Sequence, residues 1–242
     1  GKIETANRGT LFFDEIGNLS LAKNELPSSS KAFSLIEEAV KSMSRANDLT
    51  SQLLTFAKGG EPVRKNIPLD KVVRETALFN LSGSNIKFNM EKPENLWQIN
   101  ADKSQISQVI SCLVINARQA MPSGGELSIK IENAAVSPTE YSTFKLERYV
   151  KLSVSDQGTG IEEKYLDKIF DPYFTTKQDG SGLGLAIVHS IIIKHHGVVY
   201  VNATPGIGTT FVLYLPAADT DIVSPSGAAG PTELPASIPS CR

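Results

Sequence analysis

The chain has 242 residues, 40% of them hydrophobic and 21% charged, with a formal net charge of -2. That is enough apolar material for one ordinary domain plus a smaller element, and too much for a disordered chain. The near-neutral balance offers no basic footprint for nucleic acid, and no run approaches the roughly 18 apolar residues of a membrane span. The first residues lack the basic start and apolar core of a secretion signal. Cys112 lies in an apolar helical run and Cys241 in a Pro/Ser tail, contexts that argue against a disulfide framework and for a reducing, cytoplasmic setting.

In chain order, Leu11, Phe12, Ile16, Leu19, Ala22 and Leu26 are spaced for a first helix, weakened by Gly9 and Gly17. Pro27 and the serines at 28 to 30 then supply a breaker and an N-cap for a helix over 28 to 58. Its stripe of Ile36, Ala39, Met43, Ala46, Leu49, Leu53 and Phe56 must be buried, either on its own domain or in a helical hairpin that dimerises into a four-helix bundle. Gly59, Gly60 and Pro62 end it. Beyond Gly60 strands and helices alternate. The patterns predict a helix over 70–81, strands over 86–90 and 96–100, and a long helix over 103–121. Strands over 126–133 and 149–155 follow, then a short helix, a helix over 183–196, and a hairpin pairing 198–202 with 209–215. After Pro216 the tail is Ala, Pro, Ser, Thr and Gly with little apolar content, and reads as a flexible linker. The expected domains are therefore 1–60, 61–217 and a tail over 218–242.

Three features carry chemistry. Asp156, Gly158 and Gly160 form a D-x-G-x-G at the end of an apolar strand; a carboxylate there suits hydrogen bonding to an amine, with backbone approaching closely, although a simple turn has the same spelling. Gly180, Ser181, Gly182, Leu183, Gly184 and Leu185 run straight into a helix, so that amides freed of Cβ crowding and a helix N-terminus meet an anion. No Gly-Lys-Ser/Thr follows, which excludes a Walker A loop, and no parallel strand precedes it, which excludes a dinucleotide fingerprint. Asn116 sits on the polar flank of the long helix, as a structural hydrogen bonder or as a hard oxygen ligand for Mg²⁺.

Their succession decides among these alternatives. Asn116, Asp156, the segment from Ile169 through Phe170, Phe174, Thr175 and Thr176 to Lys177, the 180–185 loop, and Gly206, Gly208 and Thr209 stand in one fixed order. Over about residues 28 to 216 the sequence resembles the sensor histidine kinase branch of the gyrase, heat-shock chaperone and mismatch-repair ATPase superfamily. The resemblance implies a two-layer α/β sandwich of the Bergerat type, a mixed sheet under a layer of helices, preceded by the helical hairpin. It implies ATP as ligand with Mg²⁺ on Asn116, and Asp156 as acceptor from the adenine amine, with Gly158, Gly160 and Ile161 flanking the base. Phe170 and Phe174 belong to a hydrophobic box anchoring the ATP lid. Thr175, Thr176, Lys177, Gly180, Ser181, Gly182, Leu183, Gly184 and Leu185 lie about the triphosphate, and Thr209 and Thr210 complete the floor. A response regulator or receiver domain and a second copy of the chain are the implied partners. His189, His195 and His196 fall where such kinases ask no chemistry of them.

The pattern departs from the resemblance in two places. Sensor kinases phosphorylate a histidine on the first hairpin helix, but this chain reads Ala6, Asn7, Arg8, Gly9, Thr10 there, and its only histidines are the three just named. Residues 1 to 22 resemble instead a Walker B segment of enhancer-binding AAA+ ATPases, with Asp14 and Glu15 at the acidic positions and no Walker A loop to serve; the segment reads as a junction. Cys112, four residues before Asn116, replaces the usual polar residue on that helical face. The expected function is thus ATP γ-phosphoryl transfer to a histidine supplied by another polypeptide. The alternative is a non-catalytic ATP-sensing module, and a gyrase-type mechanical ATPase is disfavoured by the preceding hairpin and the short lid. The tail ends where related hybrid kinases begin a receiver domain, which is the expected continuation.

Overall fold

Apolar residues alternate along the strands after residue 60, while the helices carry three- and four-residue apolar spacing, so each element has one face to bury. The computed structural model describes residues 19, 21–27, 29–40, 42–43, 61–136, 148–177 and 180–218. It divides the chain into two compact units, Gly1–Gly59 and Gly60–Arg242.

In the first unit, residues 21–24 and 31–40 are helical. Ser30 caps the second stretch, its Oγ accepting from the Phe33 amide at 3.1 Å. Lys23 reaches across to Glu37 at 2.9 Å and lies over the Phe33 ring. The rest of the expected 28–58 helix, most of the expected first helix, and most of the 1–22 junction, Asp14 and Glu15 included, lie outside the described residues. So does the tail from residue 219.

The second unit comprises β1 (Lys65–Ile67), α1 (Leu69–Leu81), β2 (Ile86–Glu91), β3 (Ile99–Ala101), α2 (Lys103–Ala120), β4 (Gly125–Ala135) and β5 (Arg148–Asp156). A 3-10 turn (Glu163–Tyr165), α3 (Gly184–Lys194), β6 (Val198–Thr204) and β7 (Gly208–Pro216) complete it. Five strands form a sheet in the order β2-β4-β5-β7-β6, with β2 parallel to β4 and every other pair antiparallel. The small β1-β3 pair is antiparallel and separate. Val150, Leu152 and Val154 of β5 and Phe211, Leu213 and Leu215 of β7 face the helices and pack with Ile106, Ile110 and Leu113 of α2 and Ile187 of α3. Each such side chain, fully buried, contributes about 1.5–3 kcal/mol. The opposite face carries a second cluster of Tyr149, Tyr200 and Tyr214 with Ala134 and Val212. This is the expected two-layer α/β sandwich with a mixed sheet.

Two elements differ from the expectation. The strand expected at 96–100 begins only at Ile99, because the Trp97 amide donates to the Asn133 side chain at 2.9 Å instead of to a ladder, while Arg148 stacks on the Trp97 ring. The three-residue β1 was not foreseen, since Lys65, Asn66 and Ile67 are too few to show a period.

The long helix α2 starts where Asp102 accepts from the Ser104 and Gln105 amides, at 2.9 and 3.3 Å. His195, only 1% exposed at the end of α3, fixes that start from the other side. Its Nδ1 lies 2.8 Å from the Ile191 carbonyl and its Nε2 accepts from the Asp102 amide at 3.0 Å. Both bonds require the neutral ring protonated on Nδ1, and burial pushes the His195 pKa down, the Ile191 carbonyl opposing. The unfolded chain therefore binds the extra proton first, so stability is full above the ordinary histidine pKa and falls as pH drops through the folded value. Thermal melts of wild type and His195→Gln from pH 7.5 to 5.5 test this: the wild type is expected to lose more in Tm on acidification than the variant.

Candidate functional site

β5 delivers Asp156 to the sheet end, opposite Thr209 of β7. Alternation puts Asp156 and Thr209 on the helix-facing side after Val150, Leu152 and Val154. Ser155 and Thr210 point to the other face, where their hydroxyls bond at 2.9 Å; the Thr210 side chain is thus turned away from Asp156. The Asp156 carboxylate accepts from the Gly158 amide at 2.8 Å. Burial raises its pKa above the usual carboxylate range, against the Gly158 and Thr209 amides and the Lys177 charge, which pull it down.

The turn after Asp156 is pressed onto the end of α2. A Cβ on Gly158 would meet the Ala120 carbonyl oxygen at 2.9 Å, and the Thr159 amide donates to that same oxygen at 3.3 Å. Gly160 has φ +69, with the Thr204 carbonyl against the place a Cβ would take. The Gly206 amide donates to the Thr159 carbonyl at 2.8 Å, stitching the β6–β7 turn to the same loop. Ile161 is half-buried against the core.

α2 thereby presents Asn116, Cys112 and Gln119 on the flank beside that turn. Asn116 is half-buried, and among the described residues its carboxamide has no hydrogen-bond partner. One hard carboxamide oxygen suits Mg²⁺, which keeps most of its waters and takes few protein groups. Cys112, one turn earlier, packs against the core, and burial pushes its thiol pKa up to about 11. It stays a protonated, soft group one turn from the Asn116 carboxamide, and such a group is a poor partner for a hard cation.

The lid segment is anchored by aromatic packing. Phe170 and Phe174 lie against the core, the first 5.4 Å from the His189 ring and the second 5.6 Å from Tyr165. Between anchor and glycine loop the chain folds back, with the Tyr173 amide donating to the Gly182 carbonyl at 2.9 Å. Both residues are left-handed, Tyr173 at φ 68 and Gly182 at φ +67, and the Tyr173 carbonyl oxygen stands 2.6 Å from where a Gly182 Cβ would be. Thr175, Thr176 and Lys177 are exposed. The Thr175 hydroxyl accepts from the Lys177 amide at 3.1 Å, and the Gly180 amide donates to the Lys177 carbonyl at 3.3 Å. Ser181 accepts from the Leu183 amide at 3.4 Å, Leu183 is buried, and α3 opens at Gly184 beside half-buried Leu185, where a Cβ would meet open space. The Lys177 ammonium donates to Gln119 Oε1 at 2.8 Å. The protein around it pushes its pKa down while Asp156 pulls it up. Among the described residues, then, the Thr159–Ala120 and Lys177–Gln119 bonds tie the strand-end carboxylate's turn and the lid ammonium to α2, which carries the partnerless Asn116 carboxamide. A carboxylate suits an amine, and an ammonium suits anionic oxygens.

Gln119, Ala120 and Tyr173 escaped the sequence reading. Gln119 could have been found, since it lies three residues after Asn116 on the same helical face; the Ala120 carbonyl and the Tyr173 backbone leave no side-chain signal.

This two-layer fold defines the class, an ATP-binding domain. Residues 101–219 match the family model described as histidine kinase-, DNA gyrase B-, and HSP90-like ATPase. The chain is 35% identical over 195 residues to the sensor kinase CckA of Brucella abortus (strain 2308), covering 78% of this chain and 21% of that protein. The nucleotide-free catalytic domain of histidine kinase ThkA superposes with a TM-score of 0.53 at 30% identity, over 64% of this chain and 97% of that one. A ThkA structure in complex with response regulator protein TrrA gives 0.62 at 24% identity, over 86% and 58%, a likeness of fold. The chain belongs to the histidine kinase-, DNA gyrase B- and HSP90-like ATPase family, in its sensor histidine kinase branch. It spans between 21% and 40% of the lengths of the first curated sensor kinases it matches. Among the described residues no helix is long and apolar enough to cross a membrane.

Gly160 and Gly206 are both left-handed, but only Gly160 has backbone against its missing Cβ. Gly160→Ala is therefore expected to cost about 1–3 kcal/mol of stability and Gly206→Ala about 1, measured by denaturant unfolding. Equal losses would contradict the close approach.

Proposed function

We propose that this chain carries the Mg-ATP-binding and phosphoryl-donating part of a two-component sensor histidine kinase. Asp156 is the observation that carries the reading: a half-buried carboxylate at a strand end, held by the Gly158 amide, beside glycines that cannot accept a side chain. It accepts from the adenine amine, while Gly158, Gly160 and Ile161 shape the slot around the ring. A hydrogen bond to a charged group contributes about 1.5–3 kcal/mol. Guanine offers an oxygen there instead of an amine, so the site selects adenine. Thr209 lies on the floor, and Thr210 contributes through its backbone. The triphosphate lies along Thr175, Thr176 and Lys177 and the amides of Gly180, Ser181, Gly182, Leu183, Gly184 and Leu185, at the N-terminus of α3. Phe170 and Phe174 fix the lid base.

Asn116 would hold Mg²⁺ through its carboxamide oxygen, and the ion when bound neutralises phosphate charge. This chain's residues position the γ-phosphoryl group, which supplies most of the acceleration in such transfers. The P–O bond to ADP breaks as a P–N bond forms to a histidine nitrogen. That histidine lies outside residues 1 to 60, which contain none. His195 is unsuited because its two ring nitrogens already hold Ile191 and Asp102. A second copy of the chain, joined through the helical segments before Gly60, and a response regulator receiver domain are the proposed partners, with magnesium as cofactor and the cytoplasm as the setting. The proposed division is a helical dimerisation segment over 1–60, the catalytic domain over 61–217 and a linker beyond.

The buried, protonated thiol of Cys112 favours a second reading, an ATP-sensing module without transfer, in which lid order reports the nucleotide.

Isothermal titration tests the first claim. Wild type is expected to bind Mg-ATP, and Asp156→Asn, which sets an amide against the adenine amine, to bind about 10–100-fold more weakly. Affinity should also fall as acid protonates Asp156, at a pH above that of an ordinary aspartate. Absence of wild-type binding at millimolar nucleotide contradicts the reading. Label transfer from γ-labelled ATP to an acceptor-bearing homologous hairpin separates kinase from sensor: transfer that rises in Cys112→Asn supports the kinase, and none in either protein supports the sensor.

A further inference from the structure

Lys177 is the one lid cation among the described residues between Phe170 and Leu185, and its ammonium is spoken for. It crosses from the lid to α2 and donates to Gln119 Oε1 at 2.8 Å, 58 residues away in sequence. Gln119 lies one turn after Asn116, next to Ala120, whose carbonyl holds the Thr159 turn. The lysine backbone is clamped as well, its amide on the Thr175 hydroxyl and its carbonyl on the Gly180 amide. The loop that carries it is closed at its base by the Tyr173–Gly182 bond. The side chain is thus pinned at both ends, and the far end stands on the helix that lines the cleft.

We propose that Gln119 and Lys177 form a latch that fastens the lid to α2 while the cleft is empty, and that the triphosphate must displace it. The proposal rests on the ATP-site reading above. A neutral carboxamide is a weaker partner for an ammonium than a phosphate oxygen, because the phosphate adds the attraction of an opposite charge to the hydrogen bond. ATP therefore draws Lys177 off Gln119, and adenosine, which has no phosphate, does not. The latched form withholds Lys177 from the nucleotide, so the observed affinity is reduced by the fraction of molecules that are unlatched. Gln119 acts here only through Lys177 and is a positioning residue.

The discriminating experiment is a double-mutant cycle in the full chain, with Mg-ATP and adenosine titrated into wild type, Gln119→Leu, Gln119→Glu, Lys177→Ala and the Gln119→Leu/Lys177→Ala pair. Gln119→Leu is expected to tighten ATP about three- to tenfold and Gln119→Glu, a charged acceptor, to weaken it by a similar factor, both leaving adenosine unchanged. In the Lys177→Ala background the Gln119→Leu gain should vanish. Circular dichroism melts identify a variant that fails to fold, and Gln119→Met then takes the place of Gln119→Leu. ATP affinity that is unchanged or weaker in the neutral Gln119 variants, with wild type binding normally, overturns the latch alone. If wild type binds neither ligand, both the latch and the nucleotide reading fall.

Discussion

The site depends on one contact between two elements far apart in sequence: the turn after β5 resting on the last carbonyl of α2. Thr159 donates to Ala120, and Gly158 lies so close to that residue that no side chain fits. Helix and strand arrive from different parts of the chain, one bearing Asn116 and Gln119, the other Asp156. Without the contact, the Asp156 carboxylate and the Asn116 carboxamide would have no fixed separation. That one backbone pairing sets the separation of the two elements.

Both ends of that arrangement are secured away from the cleft. At the start of α2, the Asp102 side chain holds two amides and Val63, while His195 takes the Asp102 amide. Arg64 donates to the Lys194 carbonyl at 2.6 Å, one residue before His195. Helix α2 is therefore tied at one end to the end of α3 and at the other to the β5 turn. The lid differs in kind. Its aromatic base is packed into the core, but Thr175 to Lys177 are exposed and held by a few hydrogen bonds, one of them to Gln119. Segments with so few buried contacts are those that rearrange at small cost.

Much of the fold was legible in the sequence because its signals are local. The 3.6-residue spacing through Ile106, Val109, Ile110, Leu113 and Ala117 gave α2 to within one residue, and alternation in Val150, Leu152 and Val154 gave β5. Strand pairing was less so, since the parallel β2–β4 register comes from tertiary contacts that no short window records. Trp97 shows why the strand expected at 96–100 was too long: its β propensity was sound, but a side-chain acceptor on Asn133 took its amide. In the site, glycines and the strand-end carboxylate announced themselves through spacing. Thr210 did not reveal its direction until the register with Ser155 was known, and Gln119 was visible only as a polar residue on a helix flank. The hairpin expected before Gly60 stays an expectation.

Amide and carboxamide NMR shifts of labelled chain during Mg-ATP titration give the most direct test of the central claim, that one cleft between α2 and the β5 turn takes the nucleotide. The account predicts saturable shifts concentrated at Asn116, Gln119, Asp156–Gly160 and Gly180–Leu185, with Tyr149, Tyr200 and Tyr214 on the opposite sheet face undisturbed. Shifts centred on that opposite face, or none at several millimolar ATP, would contradict it.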